Sequence, residues 1–323
     1  MEKVDILLAT YNGEKFLSQQ LDSILAQTHQ DFHIIVSDDN STDSTVKILD
    51  EYAKKDKRIT VYKQKKNLGV ISNFEFLLSK VQSNYFLFSD QDDIWLEDKI
   101  EKSLRYMIDT NSDIVFTDLM VVDSNLNVLY QSYWELKGLK NKILKYNGFD
   151  ALYLNNYVTG CTMLMKKDII AKVLPFPKST KYILHDYWIA LIISQSGKLS
   201  YLNEATIKYR QHKNNKVGSK TRTESIKTLA EIRKLFIEVK KEHFQCFIEN
   251  ESSFEKEETR SLNKQALEYF ENLEKHQYFY IKEWRLFKKL YQYEDKKYQL
   301  ENFLILNAPI LVAPIFKIRN LMK

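Results

Sequence analysis

The sequence predicts an α/β fold: an open sheet with many parallel strands, followed by a helical region. Three observations carry this. Up to about residue 215, short β-branched or aromatic runs alternate with amphipathic helical stretches. Several of those runs end in acidic or polar residues, as strands feeding one ligand crevice would. Beyond about residue 224 the text becomes long, highly charged and helical in period. A first domain is therefore expected over 1–218 and a helical region over 219–323.

The elements follow in order. The first strand is "VDILLA" (4–9), leading into "TYNG", and a helical pattern covers 13–27. "FHIIVSD" (32–38) is the second strand. Behind it "DDNSTDST" offers Ser41, Thr42, Asp43 and Ser44 as turn and N-cap residues for a helix over 42–55. "ITVYKQ" (59–64) precedes a helix over 70–80, and "YFLFSD" (85–90) and "DIVFTD" (113–118) complete the strands. In "ESIKTLAEIRKLFIEV", Ile226, Leu229, Ile232, Leu235 and Val239 recur at spacings of three and four, one face of a helix. A second helical stretch runs from about 260 to 293, rich in Tyr, Phe, Lys and Glu. No repeat period is visible in either half.

Composition narrows the function classes. A chain of 323 residues, 44% hydrophobic and 28% charged, is ordinary globular material rather than disordered. The net charge of +5 is too small, and too evenly mixed with acids, to indicate nucleic acid. Residues 282–323 carry nine Lys or Arg against four acids, an excess equal to that of the whole chain. The two cysteines, Cys161 and Cys246, have no metal-type spacing, so neither a disulfide framework nor a cysteine zinc site is indicated. No apolar stretch suits a signal peptide or the ~20 residues of a membrane span. A cytoplasmic protein is expected.

From Phe303 to Phe316 only Asn307 is polar, and Pro309 and Pro314 interrupt the run. Flanked by Lys317, Arg319 and Lys323, this tail suits peripheral contact with an anionic membrane, apolar side chains in the acyl boundary and cations on headgroups. The alternatives are an apolar groove of the same chain or a homo-oligomer contact.

"YFLFSDQDDIW" (85–95) aims three carboxylates, Asp90, Asp92 and Asp93, off the end of a strand. Two hard oxygen donors in Asp-x-Asp can hold one Mg2+ or Mn2+, which takes further ligands from waters and substrate phosphates. The same pattern also caps turns, and it is the company it keeps that favours the metal. Asp38 and Asp39 end the second strand, and an Asp there can accept from a base imide or a ribose hydroxyl.

Together, "LLATYNGEKFLSQQLDSILAQTHQDFHIIVSDDNSTDST", "NLGVISNFEFLL" and "SDQDDIWLEDKIE" resemble the nucleotide-sugar-binding half of glycosyltransferase family 2, with the GT-A fold. The resemblance covers roughly residues 3–215. It implies a Rossmann-like mixed sheet and a metal-dependent, inverting transfer of a sugar from a nucleoside diphosphate. By resemblance, Thr10, Tyr11, Asn12 and Glu14 surround the nucleotide base and ribose, with Asp38 and Asp39 the pair beneath, Asp39 being the base contact. Asp92 matches the direct metal ligand and Asp90 the ribose or metal-water contact, while Asp93 is the extra acid common after the motif.

In "ILHDYWIALIISQSG", Asp186 stands where the family carries its catalytic base, although the usual Glu-Asp is here His185-Asp186. A carboxylate opposite the leaving group can take the acceptor's proton, and one direct displacement inverts the anomeric carbon. Its bland alternative is an N-cap. "YRQHKNNKVG" replaces the Gln-x-x-Arg-Trp of processive synthases, which argues against cellulose-, chitin- or hyaluronan-type polymerisation. Within it, His212 is expected as a further metal ligand or phosphate contact, or else a solvated loop histidine, and Arg210 as a phosphate partner. Trp95 and Trp188 are walls of the sugar or acceptor pocket, or else core. Gly160 and Cys161, in "YVTGCTMLM", pass beside the acceptor.

The combination "DQDDIW", "HDYW" and "YRQHKNN" is most similar to the bacterial rhamnosyltransferases, which use dTDP-L-rhamnose to build cell-surface polysaccharide of the wall or capsule; Tyr187 departs from the Trp usual there. The expected partners are that donor and a glycan or lipid-linked acceptor at the inner face of the membrane. The alternatives are a UDP-hexose donor, a nucleotidyltransferase, and a non-enzymatic binding protein. The second normally needs a Gly-rich basic loop, which "TYNGEKF" lacks. The third would have no use for Asp39, Asp92 and Asp186 together.

Overall fold

The computed structural model describes residues 2–146, 148–178, 180–212, 228–276, 283–294 and 296–309. The chain forms two compact units, one of residues 1–152, 156–178 and 184–215, the other of 153–155, 179–183 and 216–323.

The first unit is built on a nine-stranded sheet in the order β3-β2-β1-β4-β8-β6-β9-β5, with β7 paired antiparallel to the end of β6 at Val121 and Val122, off that line. The strands are β1 (Val4–Thr10), β2 (Phe32–Asp38), β3 (Ile59–Lys63), β4 (Tyr85–Ser89), β5 (Ile94–Trp95), β6 (Ile114–Val122), β7 (Val128–Tyr130), β8 (Leu164–Lys166) and β9 (Leu199–Arg210). The expected parallel strands β1 to β4 are present and run side by side. The sheet is mixed, as the family resemblance implies, because β8 enters antiparallel between β4 and β6. Two antiparallel steps restore the direction, so β6 and its parallel neighbour β9 point the same way as β1. The carboxyl ends of β1, β2, β4, β6 and β9 thus share one edge of the sheet.

Strands β5, β7, β8 and β9 are absent from the sequence reading. β5, β7 and β8 are two or three residues long, below any periodic signal, and β9 carries Asn203 and Glu204 at a register shift opposite β6. Most of the legible strands are buried on both faces, where a near-continuous apolar run is required: β1 and β2 are buried almost throughout, while β3 is buried only at Ile59.

The helices of this unit are α1 (Leu17–Leu25), α2 (Thr45–Lys55), α3 (Val70–Leu78), α4 (Lys99–Thr110), the short α5 (Tyr133–Leu136), α6 (Lys140–Tyr146), α7 (Phe149–Leu152) and α8 (Ile170–Val173), and α9 (His185–Ile193). Amphipathic α1 buries Leu17, Leu21 and Ile24, one stripe at helical spacing. In α9, by contrast, every residue except Asp186 is buried. A helix apolar all round belongs in a core, so the one carboxylate in its first turn is conspicuous.

The second unit holds α10 (Leu229–Glu249), α11 (Glu257–Lys275), α12 (Trp284–Tyr291) and α13 (Lys296–Asn307). Thr228 and Glu231 close a capping box at the start of α10. Its interior is aromatic: Phe244, Phe247, Phe254, Tyr269 and Phe270 pack at centroid distances of 5.0–5.8 Å. The buried stripe of α10 differs from the expected one. Ile232, Leu235 and Val239 are only partly covered, while Arg233, Ile237 and Lys240 are buried. The two cations go inside because each finds carbonyls: Arg233 donates to Leu306, Leu273 and His276, and Lys240 to Leu154 and the Asn155 side chain. Ile226 and residues 310–323 of the basic tail lie outside the described residues. The expected helix over 260–293 is two helices among the described residues, α11 ending at an extended His276. No helix among the described residues is long and apolar enough to cross a membrane.

Candidate functional site

The loops after β1 and β2 are laced together by their polar residues. Thr10 Oγ1 donates to Asp38 Oδ1 at 3.0 Å, and Asp38 also accepts from the Ser41 amide and hydroxyl. Asn12, at φ 47°, donates its amide to Ser41 Oγ and accepts from the Thr42 amide. Glu14 accepts from the Ser44 amide at the start of α2, while its own amide meets Asp43. Asp39 accepts from the Leu68 and Gly69 amides at 2.6 and 2.9 Å, tying in the loop before α3. These side chains hold the loops in shape. Tyr11 is different: it is 45% exposed.

What holds the Tyr11 backbone is Gln91, the middle residue of Asp-x-Asp, to which the sequence assigned no role. Its side chain accepts from the Tyr11 amide at 2.8 Å and donates to the Tyr11 carbonyl at 3.0 Å. A Cβ on Gly13 would stand 2.2 Å from Gln91 Oε1, so the clamp closes only over glycine.

Around the clamp the acids gather. Asp92 Oδ2 lies 2.7 Å from His212 Nε2, uniting two residues 120 positions apart. The His212 ring packs on Phe16 at 4.9 Å. Asp90 is partly exposed, and its acidity is pushed to about 7 by burial of its carboxyl and then by the charges of Asp92 and Asp186. Asp186, in the first turn of α9, accepts from the Gly160 amide at 3.0 Å and from the Tyr187 amide at 2.7 Å. Burial nevertheless raises it to about 6. Asp90 therefore stands within electrostatic reach of both Asp92 and Asp186.

One expectation is corrected, and for the two tryptophans the core alternative holds. Arg210 does not reach out to a phosphate: it is 1% exposed, its ring-stacked guanidinium sits 4.3 Å from Phe16, and its nitrogens donate to Asp92 O, Ser124 O and Gln19 Oε1. It braces the acidic loop from behind, because a buried cation must satisfy its donors within the protein. Trp188 is core, its indole donating to Val173 O. Trp95 is likewise core, with Lys99 Nζ 4.9 Å from its ring.

His185 is buried against Phe74, at 4.0 Å, and Phe88, at 5.0 Å, and burial lowers it to about 3, so it stays a neutral imidazole. Gly160 lies directly against it and Asp186. Asp93 and Cys161 are both buried beneath the crevice, and burial, then neighbouring carboxylates, raises both well above their ordinary values. Lys99, fully buried in the first turn of α4, is the positive charge facing them, held down to about 8 by burial. Gln91, Phe16 and Lys99 are the participants that the sequence reading missed. Only the adjacency of Gln91 and Lys99 to the acidic run could have flagged them.

The sequence pattern of "Glycosyl transferase family 2" matches residues 5–174. An "Uncharacterized glycosyltransferase" of Haemophilus influenzae is 31% identical over 215 residues, 65% of this chain and 66% of that one. The "dTDP-rhamnosyl transferase RfbG" of Shigella flexneri is 32% identical over 223 residues, 66% of this chain and 74% of that one. The match thus spans about two thirds to three quarters of these relatives' length. Among solved structures, S. aureus TarS 1-349 in complex with UDP-GlcNAc has a TM-score of 0.58 at 17% identity, covering 84% of this chain and 72% of that one. At that identity the likeness speaks to the fold.

Proposed function

Because the chain belongs to glycosyl transferase family 2, we propose that it moves L-rhamnose from dTDP-L-rhamnose onto a hydroxyl of a lipid-linked or growing cell-surface polysaccharide, with inversion at the anomeric carbon. The observation that carries the mechanism is that Asp90, just past the end of β4, feels the charges of both Asp92 and Asp186, the last in the first turn of α9. The rhamnose assignment draws its support from the Shigella relative.

The chemistry of the donor set suits a hard divalent cation. Asp92 supplies oxygen, His212 supplies imidazole nitrogen beside it, and Asp90, raised by burial and then by the charges of Asp92 and Asp186, would be favoured as a carboxylate by a nearby positive charge. Mg2+ or Mn2+ held by Asp92 and His212 would act as a Lewis acid on the diphosphate leaving group. The chain does the rest. Tyr11 stacks on the base, Asp39 and Asp90 contact base and ribose, and Gln91 fixes the loop that carries Tyr11. Asp186 takes the acceptor hydroxyl's proton on Oδ1 or Oδ2, its two backbone donors orienting the carboxylate. Neutral His185 and Gly160 form the floor beside it.

Donor binding and hydrolysis across dTDP-L-rhamnose, UDP-glucose, UDP-galactose and UDP-N-acetylglucosamine, with and without Mn2+, tests the reading. A metal-dependent preference for the dTDP sugar is expected. Preference for a UDP sugar would replace the donor and keep the mechanism, and binding of none would sink the enzymatic reading. The basic tail is proposed to hold the protein peripherally at the inner face of the membrane. Deleting 310–323, which spares the buried Leu306 and Asn307, should reduce sedimentation with anionic liposomes and leave donor binding intact; unchanged sedimentation would discard the tail's role.

A further inference from the structure

Trp95, Trp134 and Trp188, three of the four tryptophans of the chain, are 1–2% exposed. The fourth, Trp284, opens α12 and is 40% exposed. Along "WRLFKKLY" this helix separates two faces. Phe287, Leu290 and Tyr291 are buried, while Trp284, Arg285, Lys288 and Lys289 are exposed and, recurring at i, i+1, i+4 and i+5, lie together on the outward side. That side therefore presents one tryptophan and three cations, and α12 contains no acid.

The exposed indole is held in place. It stacks on Phe287 at 5.7 Å and meets Phe303 of α13 edge-on at 4.5 Å, with Lys288 Nζ 5.0 Å from the ring centre. On α13, Lys296, Lys297 and Leu300 are exposed as well, Leu300 at 58%, with Glu301 the acid beside them. Tryptophan among Lys and Arg on one helix face is the composition of a helix lying in a headgroup layer: the indole body enters the acyl boundary, its N–H stays wet, and the cations meet phosphates. Charge selects the occupant. A second copy of the same face would set three cations against three, whereas an anionic bilayer supplies counter-charge and an apolar boundary together.

We propose that the outward face of α12, with Trp284 as its apolar anchor and Arg285, Lys288 and Lys289 as its cations, docks on an anionic membrane surface. The inference rests on the peripheral membrane contact proposed above and adds to the tail a second contact, on a folded element. Because Trp284 is already packed against Phe287 and Phe303, docking has little side-chain freedom left to freeze at this position.

With the other three indoles in the core, Trp284 reports on its own contact, and no donor or acceptor is needed, so failure here is distinct from failure of the glycosyltransferase reading. The full chain is titrated with vesicles of phosphatidylglycerol and phosphatidylcholine in equal parts, and with phosphatidylcholine alone, while tryptophan emission is followed; brominated phosphatidylcholine quenches an indole that enters the bilayer. A blue shift and bromine quenching on the anionic vesicles only are expected, absent in Trp284→Phe and still present when 310–323 are deleted, which separates this face from the tail. Each cation near an anionic surface strengthens binding about fivefold, so the combined Arg285→Gln, Lys288→Gln and Lys289→Gln variant, altered only at exposed positions, should bind about a hundredfold more weakly. Absence of vesicle binding, or sedimentation with vesicles and no change in emission, would overturn the proposal. An equal response to phosphatidylcholine alone, unchanged affinity in the triple variant, loss of quenching with the tail, or a shift that follows protein concentration without vesicles, the mark of a contact between copies, would do the same.

Discussion

Replacing Gly160 by Ala isolates the geometry of the base from its chemistry. The added Cβ would stand 3.2 Å from Asp186 Cβ, 3.3 Å from His185 Nε2 and 3.5 Å from Asp186 Oδ2. Carbon atoms prefer about 3.5–4.0 Å, so roughly 0.5 Å of separation is needed. His185 cannot supply it, being stacked 4.0 Å from Phe74 and wedged against Phe88, so Asp186 and the first turn of α9 must move. A misplacement of about 1 Å can cost on the order of a hundredfold in rate, so half of that is worth about tenfold. Overpacking should also cost about 1–2 kcal/mol of stability. Donor hydrolysis kinetics and calorimetry with the same nucleotide sugar read the two effects apart. The expected outcome is a kcat about tenfold lower with donor affinity within about twofold of wild type. Wild-type kcat in a variant with measurably reduced stability would refute the argument, since the strain would have been absorbed without moving the base.

Gly13→Ala should do the opposite: its Cβ displaces Gln91 from the Tyr11 backbone, so donor affinity falls several-fold while kcat at saturating donor is largely kept, and an unchanged donor KM would remove Gln91 from the site. Arg210→Lys should lower unfolding stability by about 3 kcal/mol, because lysine cannot serve Asp92 O, Ser124 O and Gln19 together; a normal denaturation midpoint with weakened phosphate binding would restore the phosphate role. Asp186 works as a carboxylate and is raised to about 6, so turnover should fall as pH drops through about 6. Asp186→Asn should abolish that limb and lower turnover by roughly 10²–10⁴-fold, and a pH profile flat to 5 in the wild type would place the base elsewhere. The same shift opposes stability: the folded state holds this proton more tightly than the unfolded chain, so Asp186's contribution worsens as pH rises from the ordinary Asp value through about 6.

How much of this was legible differs between the two ends of the sheet. Strands β1, β2 and β4 and the helices between them were readable because each is buried on both faces or carries one apolar stripe, and both demands leave a local period, while partly exposed β3 was readable from its β-branched and aromatic run alone. The Asp pairs at their ends were readable as candidates because parallel strands deliver their carboxyl ends to one edge. Strands β7 and β8 left no period, and β9 is broken by a register shift. Their places depend on partners far away in sequence.

The sequence by itself therefore determined which chemistry was available: a strand-end acidic run, a second pair of acids, and a carboxylate leading a wholly apolar helix. Only the tertiary structure decided how those groups divide the work. Arg210 became a brace because burial obliged its donors to find carbonyls inside the protein. Trp95 and Trp188 became core, and Gln91 a clamp, through partners that no local pattern encodes. The raised acidities of Asp90 and Asp186 arise the same way. They come from burial, and for Asp90 also from charges brought close across the crevice, and both are properties of position in space rather than of residue type.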